Sequence, residues 1–78
     1  MNYKELDSTY ISNTYKRQNV VIAQGKGSTA VDLDGKQYID FTSGIGVNSL
    51  GFCNENWVNA ITKQANTLQH TSNLYYTT

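Results

Sequence analysis

Seventy-eight residues carrying six basic and six acidic side chains give a formal net charge of zero. That length and balance allow one small domain, and they exclude the dense basic surface of a nucleic-acid or anionic-membrane binder. A single cysteine rules out an internal disulfide framework and a cysteine-built zinc site, and no apolar run approaches the ~20 residues of a membrane helix.

Met1-Asn2-Tyr3-Lys4-Glu5 contains no apolar stretch of the kind a signal peptide requires, so the expected compartment is cytoplasmic. A chain this short buries roughly 60% of its unfolded surface. A core of that size rarely supplies more than ~3–5 kcal/mol without staples. There is no disulfide and no metal motif here, and nine residues are Asn. The expectation is a piece of something larger, or a segment stable only against a partner.

Tyr3, Leu6, Tyr10 and Ile11 recur at near-helical spacing and predict a short amphipathic helix over 3–12. Residues 13–19 are polar and irregular. Three β candidates follow: Val20–Gln24, Ala30–Leu33 and Gln37–Phe41. Gly25-Lys26-Gly27 separates the first pair. Asp34-Gly35 supplies the positive-φ residues of a tight turn between the second pair. The fold class is therefore α+β, with a three-stranded antiparallel meander at its centre. Residues 42–53 form a glycine-rich loop. Trp57, Val58, Ile61, Ala65 and Leu68 then define one apolar stripe of an amphipathic helix over about 54–69, with Asn54 as its N-cap.

Chemistry-bearing motifs are sparse. Gly25–Ala30 has the letters of a dinucleotide fingerprint, but a strand and a turn follow where the mechanism needs a helix N-terminus. The segment reads instead as a tight turn with a solvated Lys26. Cys53 and His70 sit at opposite ends of the second helix, about 25 Å apart at ~1.5 Å per residue. Cys53 reads as a small packed thiol, and His70 as a last-turn residue on the helix C-terminus. Asp32, Asp34 and Asp40 beside the hairpin read as solvated. The cluster Ser72-Asn73-Leu74-Tyr75-Tyr76 is either packing or one wall of a ligand pocket. No residue is put forward as catalytic or as a metal ligand.

The ordered set of segments closely resembles the start of a known family. It comprises Asn13-Thr-Tyr15, Val20-Val21, Gly25-Lys-Gly27, Asp32–Phe41, Ser43-Gly-Ile-Gly-Val-Asn-Ser-Leu-Gly51 and His70-Thr-Ser-Asn-Leu-Tyr-Tyr76. Together they resemble the N-terminal segment of the acetylornithine aminotransferases, class III enzymes of fold type I that depend on pyridoxal 5'-phosphate. The resemblance implies that residues 1–78 are part of the small domain, with the catalytic large domain lying downstream. It implies a homodimer that takes a small-molecule amino donor and a 2-oxo acid, N-acetylornithine and 2-oxoglutarate, in arginine biosynthesis. A related ornithine or succinylornithine ω-aminotransferase, or a small non-enzymatic interaction module, is the alternative. The family's cofactor-binding residues lie beyond residue 78, and none of Lys4, Lys16, Lys26, Lys36 or Lys63 sits in a matching motif. By resemblance, Tyr15 and Ile45 border the substrate cleft, while Gly44, Gly46, Asn73 and Tyr75 approach the cleft or the dimer interface. Two departures from the family pattern stand out. Asn19 occupies a position usually held by Pro. Gly51-Phe-Cys-Asn-Glu55 stands where the family usually reads Gly-His-Cys-His-Pro, which puts in doubt the hydrogen bonds those histidines make.

Overall fold

A computed structural model describes residues 2–78. The order of elements is α1 (Tyr3–Tyr10), β1 (Ile22–Lys26), β2 (Thr29–Asp32), β3 (Gln37–Ile39) and α2 (Glu55–Ala65). The three strands form one antiparallel sheet in the order β1-β2-β3, the meander expected from the sequence.

Each boundary has a local cause. Asn2 caps α1, its side-chain oxygen accepting from Glu5 N at 3.2 Å. Arg17 pairs with Asp7 at 3.1 Å, which ties the irregular segment back to that helix. The first strand starts two residues later than Val20 and runs through Gly25 and Lys26. A bulge between Ile22 and Gln24 shifts its register against β2. The expectation that Gly25-Lys26-Gly27 forms the separator is corrected accordingly. Lys26 pairs with Thr29, so the connection is the two-residue turn Gly27-Ser28. Gly27 has φ +58° at the first central position, where glycine is favoured in a tight hairpin. Lys26 is exposed, as a turn-flanking lysine should be.

The β2–β3 turn is built on Asp32. Its Oδ1 accepts from Asp34 N and Lys36 N, each at 2.9 Å, and its Oδ2 accepts from the Tyr38 hydroxyl at 2.9 Å. Gly35 takes the positive φ, +85°, and Asp34 does not. The third strand stops at Ile39 because Asp40 turns the chain. Its backbone N–H still donates to Ser28 O at 2.8 Å, while its carboxylate accepts from Thr42 N, Thr42 Oγ1 and Ser43 N. Asp32 and Asp40 are thus half-buried turn anchors, not freely solvated carboxylates.

Asn54 caps α2 by accepting from Trp57 N at 3.2 Å. The helix closes at Ala65, short of residue 69. Side chains then compete for its last carbonyls: Asn66 Nδ2 donates to Thr62 O, Thr67 Oγ1 to Lys63 O, and Gln69 Nε2 to Ala65 O. His70 therefore lies outside the last turn and makes no cap. Cys53 is exposed at φ +55°, so the packed-thiol reading is also corrected.

Among the described residues, no Cα of either helix comes within 8 Å of a Cα in a strand or in the other helix. Ala30, at 6% exposure in the central strand, is the buried hydrophobic residue. Trp57, Val58, Ile61 and Leu68 lie exposed along one side of α2 and its C-terminal extension. No helix among the described residues is long and apolar enough to cross a membrane, and no group of His, Cys, Asp or Glu among them clusters as metal ligands.

Candidate substrate-side surface

The most distinctive local geometry lies in the glycine-rich loop. Ser43, Gly44, Ile45 and Gly46 have φ of 53°, 59°, 59° and 86°. This is one turn of left-handed chain. Such a turn costs an L-residue with a Cβ roughly 1–2 kcal/mol, and the two glycines remove that cost at alternate positions. The cost remains at Ser43 and, most heavily, at Ile45, a β-branched residue. Gly46 N donates to Thr42 O at 3.2 Å and Asn48 N to Ser43 O at 2.7 Å, so the strained turn is closed by its own backbone. A Cβ on Gly44 would stand 3.2 Å from the Asn48 amide nitrogen, which leaves little room for any larger residue there. The result is an isoleucine held at a fixed point on a loop tip and 97% exposed.

The remaining candidates occupy other parts of the surface. Tyr15 is 72% exposed and lines a hollow with Asp7, Ile11, Asn13 and Arg17. Asn73 and Tyr75 line a different hollow with Gln64, Leu68 and His70, and Tyr75 is 71% exposed. Tyr15 and Tyr75 therefore face separate hollows. None of these aromatic or apolar side chains is used to fill an interior.

The hairpin carries the perturbed titrations. Partial burial opposes ionisation of Asp32. The N–H groups of Lys36 and Asp34, the Tyr38 hydroxyl and the Lys36 charge outweigh it and hold the carboxyl below its usual value. Asp40 is lowered mainly by the Thr42 N–H, with the Thr42 hydroxyl and Ser43 N–H adding to it. Tyr38 is raised, first by its bond to Asp32, so the phenol stays a donor. The Lys36 ammonium also lies 5.2 Å from the Tyr38 ring centre. Where a carboxyl is lowered on folding, the unfolded state binds more protons, so the stabilisation is complete above the ordinary value of about 3.9. It is lost as the pH falls through the lowered values. In the complete protein, the midpoint of thermal unfolding is expected to be insensitive to these two groups from pH 5 to 8. It should fall below about pH 4, and the Asp32→Asn, Asp40→Asn double variant should show a shallower fall.

The five lysines are all exposed. Among the described residues, none is enclosed with an anion-binding turn or a buried acid.

The family Aminotransferase class-III matches residues 10–78, and the chain belongs to that family. It is 49% identical over 74 residues to the acetylornithine aminotransferase of Haemophilus ducreyi, covering 95% of this chain and 19% of that protein. It is 51% identical over 76 residues to that of Methanocaldococcus jannaschii, covering 97% and 19%. The crystal structure of acetylornithine aminotransferase from Elizabethkingia anophelis superposes with a TM-score of 0.94 at 30% identity, over 97% of this chain and 20% of that one. Ornithine δ-aminotransferase from Plasmodium falciparum gives 0.91 at 29% identity, over 96% and 20%. The chain thus spans about a fifth of the length of the relatives it matches.

Proposed function

We propose that these residues are the N-terminal small-domain segment of an aminotransferase that moves an amino group between N-acetylornithine and 2-oxoglutarate, a step of arginine biosynthesis in the cytoplasm. The observation that carries this reading is identity of about half over nearly the whole chain to acetylornithine aminotransferases from unrelated organisms. Pyridoxal 5'-phosphate would supply the electron sink and be held by the downstream four fifths of the protein. This chain's residues would supply the substrate side of the cleft in a homodimer. The Tyr15 hydroxyl would donate to a carboxylate or amide oxygen of the donor. Ile45 would bound the pocket width, and Gly44, Gly46, Asn73 and Tyr75 would lie near the cleft or the dimer contact.

Ornithine is the competing donor, because an ornithine aminotransferase superposes at 0.91, close to the 0.94 of the acetylornithine aminotransferase. Against it stands Ile45, an aliphatic residue where an aromatic would suit the smaller free amine. The test is the complete protein, purified with cofactor and assayed with each donor and 2-oxoglutarate. The expected result is a higher kcat/KM for N-acetylornithine than for ornithine. A protein that binds the cofactor yet turns over neither donor overturns the reading.

A further inference from the structure

The strained loop does not hang free. Both of its ends are bonded to the same hairpin tip. On one side, Asp40 N donates to Ser28 O at 2.8 Å. On the other, Gly27 N donates to Phe52 O at 2.9 Å and Phe52 N to Gly27 O at 2.8 Å. Residues 40–52 are therefore an Ω-shaped loop closed by the neighbouring residues Gly27 and Ser28. Loops of this size and closure frequently carry function.

The closure depends on close approach. A Cβ on Gly25 would stand 2.6 Å from the Phe52 ring, so the ring occupies the space a side chain would need. A Cβ on Gly51 would stand 2.8 Å from Gly27 O. Gly25 has no positive φ, so its backbone does not require glycine. What requires it is the space taken by Phe52, 27 positions along the chain. The Phe52 ring is half-buried on the sheet, while its neighbour Cys53 turns outward.

We infer that the Gly27-Ser28 tip is a positioning element. By clamping both ends of the 40–52 loop, it fixes where Ile45 stands, and Gly25 and Phe52 are positioning residues for donor selectivity. The selectivity half of this inference rests on the proposed function; the clamp half rests on the hydrogen bonds and packing alone. Gly25→Ala drives a methyl into the ring and must displace Phe52 or the strand. The donor would still bind and react, but against a shifted wall. The effect should therefore fall on KM and on the ratio between donors more than on kcat.

The experiment uses the complete protein with Gly25→Ala, Phe52→Ala and the double variant. Two readouts are taken: amide hydrogen exchange over residues 42–51, and kcat and KM with N-acetylornithine and ornithine. In Gly25→Ala the loop amides should exchange about tenfold faster, as a locally opened segment does. The donor preference should shrink by about tenfold, the scale of a small change in pocket fit, with kcat for the better donor changed by less than about threefold. The double variant should resemble Phe52→Ala alone, because the clash has been removed. Wild-type loop exchange in Gly25→Ala overturns the clamp. Faster exchange with an unchanged donor ratio, or with a loss shared equally between kcat for both donors, overturns the selectivity role. If the wild-type protein uses neither donor, the functional reading and the selectivity role fall together, and loop exchange alone decides the clamp.

Discussion

Heated in buffer on its own, the 78-residue chain is expected to give no cooperative unfolding transition and to catalyse no transamination. The reason is surface. A folded monomer of this mass exposes about 4,700 Å² by the scaling of area with size, whereas this chain exposes 7540 Å². Its Cα radius of gyration is 17.1 Å, against about 11.5 Å for a compact body of the same length. The surplus area is roughly 2,800 Å², the size of an obligate interface. Among the described residues only Ala30 is a buried hydrophobic residue, while ordering each residue costs about 1–2 kcal/mol of backbone entropy. Three short strands, and two helices whose backbones stay more than 8 Å from them at Cα, cannot offset that cost. Circular dichroism melting with light scattering checks the first half of the expectation. A broad, sloping melt or association is the expected outcome. A sharp monomeric transition would support an independent interaction module instead. The second half follows from the lysines: none of the five is enclosed with the acid and phosphate-binding groups that the cofactor chemistry requires. Measurable turnover by the purified 78-residue chain, with cofactor added, would overturn it.

The parts of this structure that were legible in the sequence are those whose cause is local. Asp34-Gly35 announced the second turn because a tight hairpin needs one residue with positive φ, and Gly35 supplies it. Asn54 announced α2 because a side-chain oxygen at that position satisfies a free amide of the first turn. The apolar stripe of α2 followed from its period. Two of the differences have distant causes, and one, at the end of α2, a local one. Gly25 looked like a breaker because sequence does not distinguish a glycine needed for its φ from one needed for space, and the space at Gly25 is claimed by Phe52. Cys53 looked buried because free cysteines usually are, but the chain must reverse at Gly51–Cys53 to lay Phe52 on the sheet. The end of α2 was misplaced because Asn66, Thr67 and Gln69 turn their side chains onto its carbonyls. As for the candidate site, Tyr15 and Ile45 came from resemblance to a family, and no pattern in the chain singles them out. A clue was nonetheless present in Ser-Gly-Ile-Gly: two glycines flanking a β-branched residue mark a place where the backbone can take a left-handed turn.

In the complete protein, Ile45→Tyr is expected to change donor preference by about tenfold or more toward ornithine, within the range set by small changes in pocket shape. Stability should move by less than about 1 kcal/mol if position 45 faces the cleft and not a packed surface of the rest of the protein. The backbone argument separates the two effects. Position 45 has φ +59°, a conformation that costs both residues. Tyrosine is not β-branched, so the swap does not raise the strain and slightly eases it. The side chain is 97% exposed on this chain, so a larger one meets no neighbour within the segment. Its consequences are therefore confined to whatever faces the loop tip. If that is the substrate cleft, the phenol narrows the space beside the donor's acylated nitrogen and offers a hydroxyl to a free ammonium group. N-acetylornithine loses fit while ornithine gains a partner. The measurement is the ratio of kcat/KM for the two donors in competition, alongside the thermal midpoint. A lowered midpoint with an unchanged ratio would place Ile45 in a packing contact with the rest of the protein. An unchanged ratio and midpoint would leave it facing solvent. Either result removes it from the pocket and, with it, the reason for clamping its loop.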